Sequence, residues 1–264
     1  MAKLYLCTDT RSKQGDFAQF VEDAFAGGVD LIQVREKNLS PKAELEALET
    51  VRALATAHQG LVVVNDSPKL AHQFGADVLH LGQDDPDPAT GRKALHEWGL
   101  IGQSTHSVAQ ADRAAANPDV DYFCVGPVHA TATKPDYEPV GLDLVRHAAT
   151  KYPPSEESSK PWFAIGGINA TNLDEVIEAG ARRVVVVRAI TEASDPRAAA
   201  EELSARLRRA WREDMSSLTF TQTGGGARLK GESSVGESGA GDADTESHDK
   251  PRRRRGASRW FGRG

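Results

Sequence analysis

Five charged residues carry the first chemical hint. Arg35, Lys37 and Lys134 are cations, Asp66 and Asp85 are acids, and each stands shortly after an apolar run. Like charges gathered in one cleft repel unless an anion lies between them. Cations set beside carboxylates suit a polyphosphate carrying Mg²⁺, because Mg²⁺ takes one or two carboxylates together with phosphate oxygens. Taken singly, each residue is as easily part of a surface ion pair; five at one rim are not. Gly166-Gly167 offers a second anion site, since glycine lets backbone N–H groups approach an anion closely. Thr131 and Thr133, beside Lys134, could add hydroxyl donors or simply form a polar loop.

Other chemistries are weakly signalled. His80 and His106 could serve as acids or bases, although a lone histidine is more often structural. No Cys/His spacing suits zinc, and neither a Gly-x-Ser-x-Gly elbow nor a Walker loop is present. A hydrolase triad is therefore not indicated.

Bringing the charged residues together is the task of the elements around them. Short apolar runs alternate eight times with helical patterns. The strands predicted are Leu4 to Thr8, Asp30 to Arg35, Leu61 to Asn65, Val78 to Leu81, Leu100 to Ser104, Tyr122 to Val125, Trp162 to Ile165 and Arg183 to Val187. Runs such as Leu61-Val62-Val63-Val64 are apolar throughout, as parallel strands covered on both faces require. Ser40-Pro41 and Asp195-Pro196 each place a capping side chain before a first-turn proline, and Thr171-Asn172-Leu173-Asp174 reads as a capping box. Leu203, Leu207 and Trp211 should form the inner face of the last helix. The pattern predicts a (β/α)₈ TIM barrel rather than a doubly wound sheet, whose Gly-rich first turn is replaced here by Thr8-Asp9-Thr10-Arg11. In such a barrel the residues that follow the strands converge at one rim, and the charged set and Gly166-Gly167 all do so.

Composition sets the outer bounds. The chain has 264 residues, 32 Lys and Arg, 38 Asp and Glu, and two cysteines, which excludes a disulfide framework. Cys7 and Cys124 lie in apolar runs and read as small core hydrophobes. No run approaches the ~20 apolar residues of a membrane span, and the N-terminus lacks signal-peptide features, so a soluble cytoplasmic protein is expected. The barrel domain is expected over 1–213, followed by a disordered Gly/Ser-rich tail over 214–264 with a basic end. Of the net charge of −6, the residues from Ser216 onward account for +3 and the barrel for about −9. Lys250-Pro251-Arg252-Arg253-Arg254-Arg255 could grip an anionic surface, but a solvated extension is the preferred reading.

Read in order, the motifs resemble the thiamine phosphate synthase family. They are Gln33-Val34-Arg35-Glu36-Lys37, Val64-Asn65-Asp66, His80-Leu81-Gly82-Gln83-Asp84-Asp85, Ile101-Gly102-Gln103-Ser104-Thr105-His106, Gly126-Pro127, Thr131-Ala132-Thr133-Lys134 and Ala164-Ile165-Gly166-Gly167-Ile168. The resemblance spans residues 3 to 210 and implies a transferase. It would join 4-amino-5-hydroxymethyl-2-methylpyrimidine diphosphate to 4-methyl-5-(2-hydroxyethyl)thiazole phosphate, releasing pyrophosphate by a dissociative step. The resemblance implies that Gln33, Arg35, Glu36, Lys37, Asn65, Ser104 and Lys134 hold the pyrimidine diphosphate, with Arg35 and Lys134 assisting departure of the leaving group. It implies Mg²⁺ on Asp66 and Asp85, and the thiazole phosphate on Thr131, Thr133, Gly167, Val187 and Arg188. A carbocation formed this way must be kept from water, so a closing loop is expected over Val128 to Glu138.

Two positions depart from the family pattern. Arg188 stands where many relatives carry serine, and His129 where an aromatic is common. The competing reading, a thiazole tautomerase-like isomerase, uses a histidine directly after the sixth-strand glycine, whereas here Pro127 follows Gly126. The partners expected are two small phosphorylated substrates, with no membrane and no nucleic acid for the barrel; a homo-oligomer is compatible with the reading.

Overall fold

The structure is a computed structural model that describes residues 2–131, 138–154, 156 and 158–223, the side chains of 217–223 excepted. Its elements alternate as expected: β1 Leu4–Thr8, α1 Phe17–Ala26, β2 Leu31–Val34, α2 Pro41–His58, β3 Leu61–Asn65, α3 Pro68–Phe74, β4 Val78–Leu81, α4 Pro88–Ala94 and β5 Leu100–Thr105. Then come α5 Val108–Ala116, β6 Tyr122–Val125, α6 Gly141–Lys151, β7 Trp162–Ile165, α7 Leu173–Glu178, β8 Val184–Val186, a short α8 Arg188–Thr191 and the long α9 Pro196–Thr223. The strands pair in sequence order, all parallel, and β8 closes on β1 through Leu4↔Val184, Tyr5↔Val185 and Leu6↔Val186. The fold is a closed (β/α)₈ barrel.

Alternation along each strand divides the core in two. Leu6, Ile32, Val62, Val64, Leu79, Ile101, Phe123, Trp162 and Val184 face outward and pack under the helices, including Leu203 and Leu207 of α9. Tyr5, Cys7, Leu31, Leu61, Val63, Val78, Leu100, Tyr122, Cys124, Phe163 and Val185 fill the interior. Both cysteines are buried and unpaired with each other, as core hydrophobes should be. Tyr5, Tyr122 and Phe163 meet edge to face, with Tyr5 and Tyr122 each 5.7 Å from Phe163 between ring centroids. Gly102 makes this cluster fit: a Cβ there would lie 2.1 Å from Tyr122 Cζ and 2.5 Å from His80 Nδ1.

The ends of two strands are shorter than the apolar runs suggested. Asp30 and Arg183 fall outside β2 and β8, although Asp30 N–H still donates to Leu4 O at 2.8 Å and Arg183 O accepts from Ala164 N–H at 3.0 Å; their side chains serve the lower rim. The Asp30 carboxylate accepts the Lys3 and Leu4 N–H groups at 2.7 and 3.0 Å, and the Arg208 guanidinium at 3.1 Å. Lys3 Nζ lies 3.8 Å from the centre of the Trp211 ring, and the Arg183 guanidinium lies 4.9 Å from it. Trp211 therefore closes the floor of the barrel while giving two cations a π face.

Caps explain where helices begin. Ser40 accepts from Ala43 N–H at 3.2 Å and Asp195 from Ala198 N–H at 2.9 Å, as read from the sequence. Thr171 is not a cap: α7 starts after Asn172, and the Thr171 hydroxyl donates to Asn169 Oδ1 at 2.6 Å. The last helix also passes the expected boundary at 213 and continues to Thr223, so the start of the tail at 214 is corrected. Asp214 belongs to the fold, accepting both arms of Arg182 at 2.7 and 2.8 Å. The first strong helix breakers come only at Gly224-Gly225-Gly226. The segment 224–264 lies outside the described residues. Among the described residues no helix is long and apolar enough to cross a membrane.

Gly102→Ala should cost about 1–3 kcal/mol, the range for overpacking a filled interior, measured as a lower urea midpoint with an unchanged m-value. An unchanged midpoint would show that the interior around Tyr122 has slack. Burial, reinforced by Arg183, pulls the Lys3 amine down to about 7 from the 10.5 of a free lysine. Between those values the unfolded chain binds the extra proton, so stability rises with pH through that window; below it both states are protonated and the gain is absent. Lys3→Met keeps the apolar stem on Trp211 and should flatten this rise, which urea melts across the same window will register.

Candidate active site

The C-terminal ends of the strands open into one cavity of about 480 Å³. Its wall gathers Gln33, Arg35, Asn65, Asp66, Asp85, Ser104, Thr131, Gly167, Val187 and Arg188, so residues far apart in sequence meet as expected. Each arrives because it ends a strand or opens the loop after one. Thr133 and Lys134 lie outside the described residues.

The floor on the β1–β3 side is a run of hydrogen bonds. Cys7 Sγ donates to Gln33 Oε1 at 2.8 Å, and Gln33 Nε2 donates to Asn65 Oδ1 at 3.0 Å. With its oxygen engaged, Asn65 can offer only its amide N–H to the Asp66 carboxylate, whose pKa that contact lowers. Gln33 and Asn65 are thus held in one orientation each. Cys7 was legible only as a core residue; its inward parity with Gln33 across the β1–β2 register was the available signal.

Asp66 leaves β3 in the left-handed region at φ 59°, which asparagine and aspartate tolerate better than most residues. That turn carries its carboxyl across to Asp85, itself fixed by the Gly82 N–H at 2.6 Å. Burial and the hydrogen bond and charge of Asp85 push the Asp66 carboxyl up to about 6, against the pull of Arg35. Two carboxylates so close coexist only if a proton or a cation sits between them. Their hard oxygens, with room for phosphate oxygens beside them, fit Mg²⁺. Among the described residues no group of three His, Cys, Asp or Glu converges on one point.

Glu36 and Lys37 stand apart from the cavity lining. The chain turns after Arg35, so Glu36 reaches the β1 loop instead, accepting the Thr10 N–H at 3.0 Å and the Thr10 hydroxyl. Lys37 is exposed in the following turn, and neither residue lines the cavity.

His80 and His106 both line the cavity, held by hydrogen bonds. His80 Nε2 is 2.9 Å from Ser104 Oγ and its Nδ1 is 3.1 Å from the Tyr122 hydroxyl. His106 Nδ1 is 2.6 Å from the Gly126 carbonyl, which accepts from it.

The opposite side is built from backbone. Gly166 and Gly167 take φ 108° and 64°, and a Cβ on Gly167 would lie 2.7 Å from His129 Cβ and 2.9 Å from Ala130 O. Loop seven is thus pressed against loop six with no space for side chains. Asn172 and Asn169 donate to the Gly167 carbonyl at 2.9 and 3.3 Å, fixing that peptide. Neither asparagine was singled out from sequence. Val187 and Arg188 open α8, the short extra helix that often completes a barrel phosphate site. Arg11, clasped by Asp16 at 2.7 and 2.9 Å, donates to Thr191 O at 2.8 Å and so ties off the far end of α8. His129 lies 3.2 Å from Glu175 of α7, on the outer side of the same loop contact.

The cavity therefore has a charged side, with Arg35 facing the Asp66–Asp85 pair, an amide and hydroxyl floor, and a backbone side of glycines and α8. That arrangement offers a cation, a carboxylate pair and backbone groups to a phosphorylated ligand.

Comparison with known proteins agrees. The family model described as thiamine monophosphate synthase matches residues 4–190. A thiamine-phosphate synthase of Streptomyces avermitilis is 53% identical over 209 residues, 79% of this chain and 95% of that protein. One from Thermobifida fusca is 53% identical over 206 residues, 78% of this chain and 92% of its own length. The solved thiamine phosphate pyrophosphorylase of Pyrococcus furiosus superposes with a TM-score of 0.68 at 31% identity, covering 79% of this chain and 96% of that one. The chain belongs to the thiamine monophosphate synthase family.

Proposed function

We propose that this protein condenses 4-amino-5-hydroxymethyl-2-methylpyrimidine diphosphate with 4-methyl-5-(2-hydroxyethyl)thiazole phosphate, giving thiamine phosphate and pyrophosphate. The observation that carries the reading is the meeting of Arg35 and the Asp66–Asp85 pair with a glycine-lined backbone wall in one cavity. Family membership supplies the identity of the substrates.

In the reaction the C–O bond between the pyrimidine methylene and the diphosphate breaks, and both electrons leave with the diphosphate. The lone pair of the thiazole nitrogen then forms the C–N bond to the methylene carbon. No protein atom is bonded to substrate and no proton need be transferred, which suits a cavity whose histidines are already engaged by Ser104, Tyr122 and Gly126. What the protein supplies is charge on the leaving group and orientation of two rings. Arg35 stands on the side where the diphosphate negative charge grows, and Lys134 joins it by the family pattern. Gln33, Asn65 and Ser104 present amide and hydroxyl groups to the pyrimidine edge. Thr131, Gly167 and the start of α8 would receive the thiazole phosphate, with Arg188 adding a cation where relatives carry serine. Asp66 and Asp85 would hold Mg²⁺, which when bound neutralises charge on the departing diphosphate. We place the activity in the cytoplasm, where a thiol such as Cys7 stays reduced. The isomerase alternative lacks its histidine, since Pro127 follows Gly126.

The test is an assay of pyrophosphate release with each substrate alone and with both, with and without Mg²⁺. Release is expected only with both substrates and the metal; a wild-type protein inactive under those conditions overturns the proposal. Asp85→Ala should lower kcat/KM about a hundredfold, corresponding to a few kcal/mol of lost charge stabilisation, and shift the Mg²⁺ dependence to higher concentration. Full activity of that variant at unchanged Mg²⁺ would remove the metal role of Asp85.

A further inference from the structure

We propose that Tyr122 and His80 form a positioning relay that fixes the Ser104 hydroxyl as a hydrogen-bond donor toward the cavity, and so selects a ring acceptor on the ligand. The inference rests on the assignment of Ser104 to the pyrimidine substrate.

The geometry is a line of hydrogen-bonding groups running from the barrel interior to the site. Tyr122 is fully buried, His80 nearly so, and Ser104 lines the cavity. The Tyr122 hydroxyl lies 3.1 Å from His80 Nδ1, and His80 Nε2 lies 2.9 Å from Ser104 Oγ. The contact is built into the strand: Gly102 of β5 sits across from Tyr122 of β6, and a Cβ there would lie 2.4 Å from the Tyr122 oxygen and 2.5 Å from His80 Nδ1. Only glycine leaves room for that hydrogen bond.

A neutral imidazole carries one N–H and one lone pair, so the two neighbours of His80 must differ in role. A phenol is a far more acidic O–H than a serine, and an imidazole nitrogen is a far better acceptor than a hydroxyl oxygen. The strongest pairing is therefore Tyr122 O–H donating to Nδ1. Burial keeps that phenol protonated, its pKa pushed well above the ordinary range. His80 then carries its proton on Nε2 and donates it to Ser104 Oγ. With that lone pair used, Ser104 directs its own proton to an acceptor on the ligand, such as an unprotonated ring nitrogen. The opposite tautomer would make Ser104 spend its proton on His80 and would leave the ligand facing an acceptor. Tyr122 touches no substrate and acts through His80; it is a positioning residue.

The test is Tyr122→Phe, which keeps the ring packed on Phe163 and removes only the hydroxyl. In the wild type, ¹⁵N spectra should show the His80 ring as the Nε2–H tautomer, the signal assigned by its loss in His80→Gln. In Tyr122→Phe the tautomer should shift toward Nδ1–H, and KM for the pyrimidine diphosphate should rise about fivefold to tenfold, the scale of one net hydrogen bond, with KM for the thiazole phosphate unchanged. In a Ser104→Ala background the same substitution should add nothing. An Nδ1–H tautomer in the wild type, or an equal rise in KM with and without Ser104, overturns the relay. The spectra need no substrate, so they decide the relay even if the assay above overturns the assigned reaction.

Discussion

A polar side chain inside a barrel must find its hydrogen bonds inside the barrel, and this constraint shapes the site. Gln33, His80 and Tyr122 are buried, and an unmade bond there costs about 1–3 kcal/mol. The interior answers with two directed runs. One passes from Cys7 through Gln33 and Asn65 to the Asp66 carboxylate; the other includes Tyr122, His80 and Ser104. Each begins among apolar side chains and ends at an atom facing the cavity. The groups offered to a ligand are thus held from beneath by buried partners, which is how a site acquires fixed orientation without rigid loops.

The charged rim follows a different logic, since its balance is deliberately incomplete. Asp66 and Asp85 crowd each other enough to raise the Asp66 carboxyl, and Arg35 offsets this only in part. Elsewhere several carboxylates have a cation beside them: Asp16 has Arg11, Asp112 has Lys151 and His147, and Asp214 has Arg182. Those pairs join loops and helices. The Asp66–Asp85 pair lines the cavity, where a cation and a polyanion would complete it. An overall charge of −6 conveys none of this, because it averages an acidic surface with a mouth of mixed sign.

Much of this was readable from the chain because a barrel strand must be apolar on both faces. Leu61–Asn65 and Trp162–Ile165 have the bounds that their runs suggest. The chain is harder to read where charged residues adjoin such runs. Asp30 and Arg183 lie just before β2 and β8, with their backbones still bonded to neighbouring strands and their side chains engaged at the lower rim. Glu36 and Lys37 lie in the same motif as Arg35, but contiguity in sequence says nothing of direction once the strand has ended, and Glu36 turns to Thr10. Cys7 and Tyr122 were legible as core and not as supports, because a hydrogen bond between strands is invisible until the register is known. The last helix outran its expected end because the anchor of Asp214, Arg182, lies across the fold.

The two walls of the cavity also explain why the chemistry advertises no nucleophile. Where loops six and seven meet, Gly126, Gly166 and Gly167 bring backbone against backbone: an added Cβ would lie 2.1 Å from Ile165 O at the first, 2.5 Å from Pro127 at the second and 2.7 Å from His129 at the third. Such a wall can offer peptide dipoles but no reactive side chain. The other wall offers charge and fixed amides, with both cavity histidines already committed to hydrogen bonds. Among the described residues, this cavity supplies charge, hydroxyls and fixed amides, which suit the departure of an anion and the holding of the fragment that remains. The dissociative substitution proposed above asks for those two things.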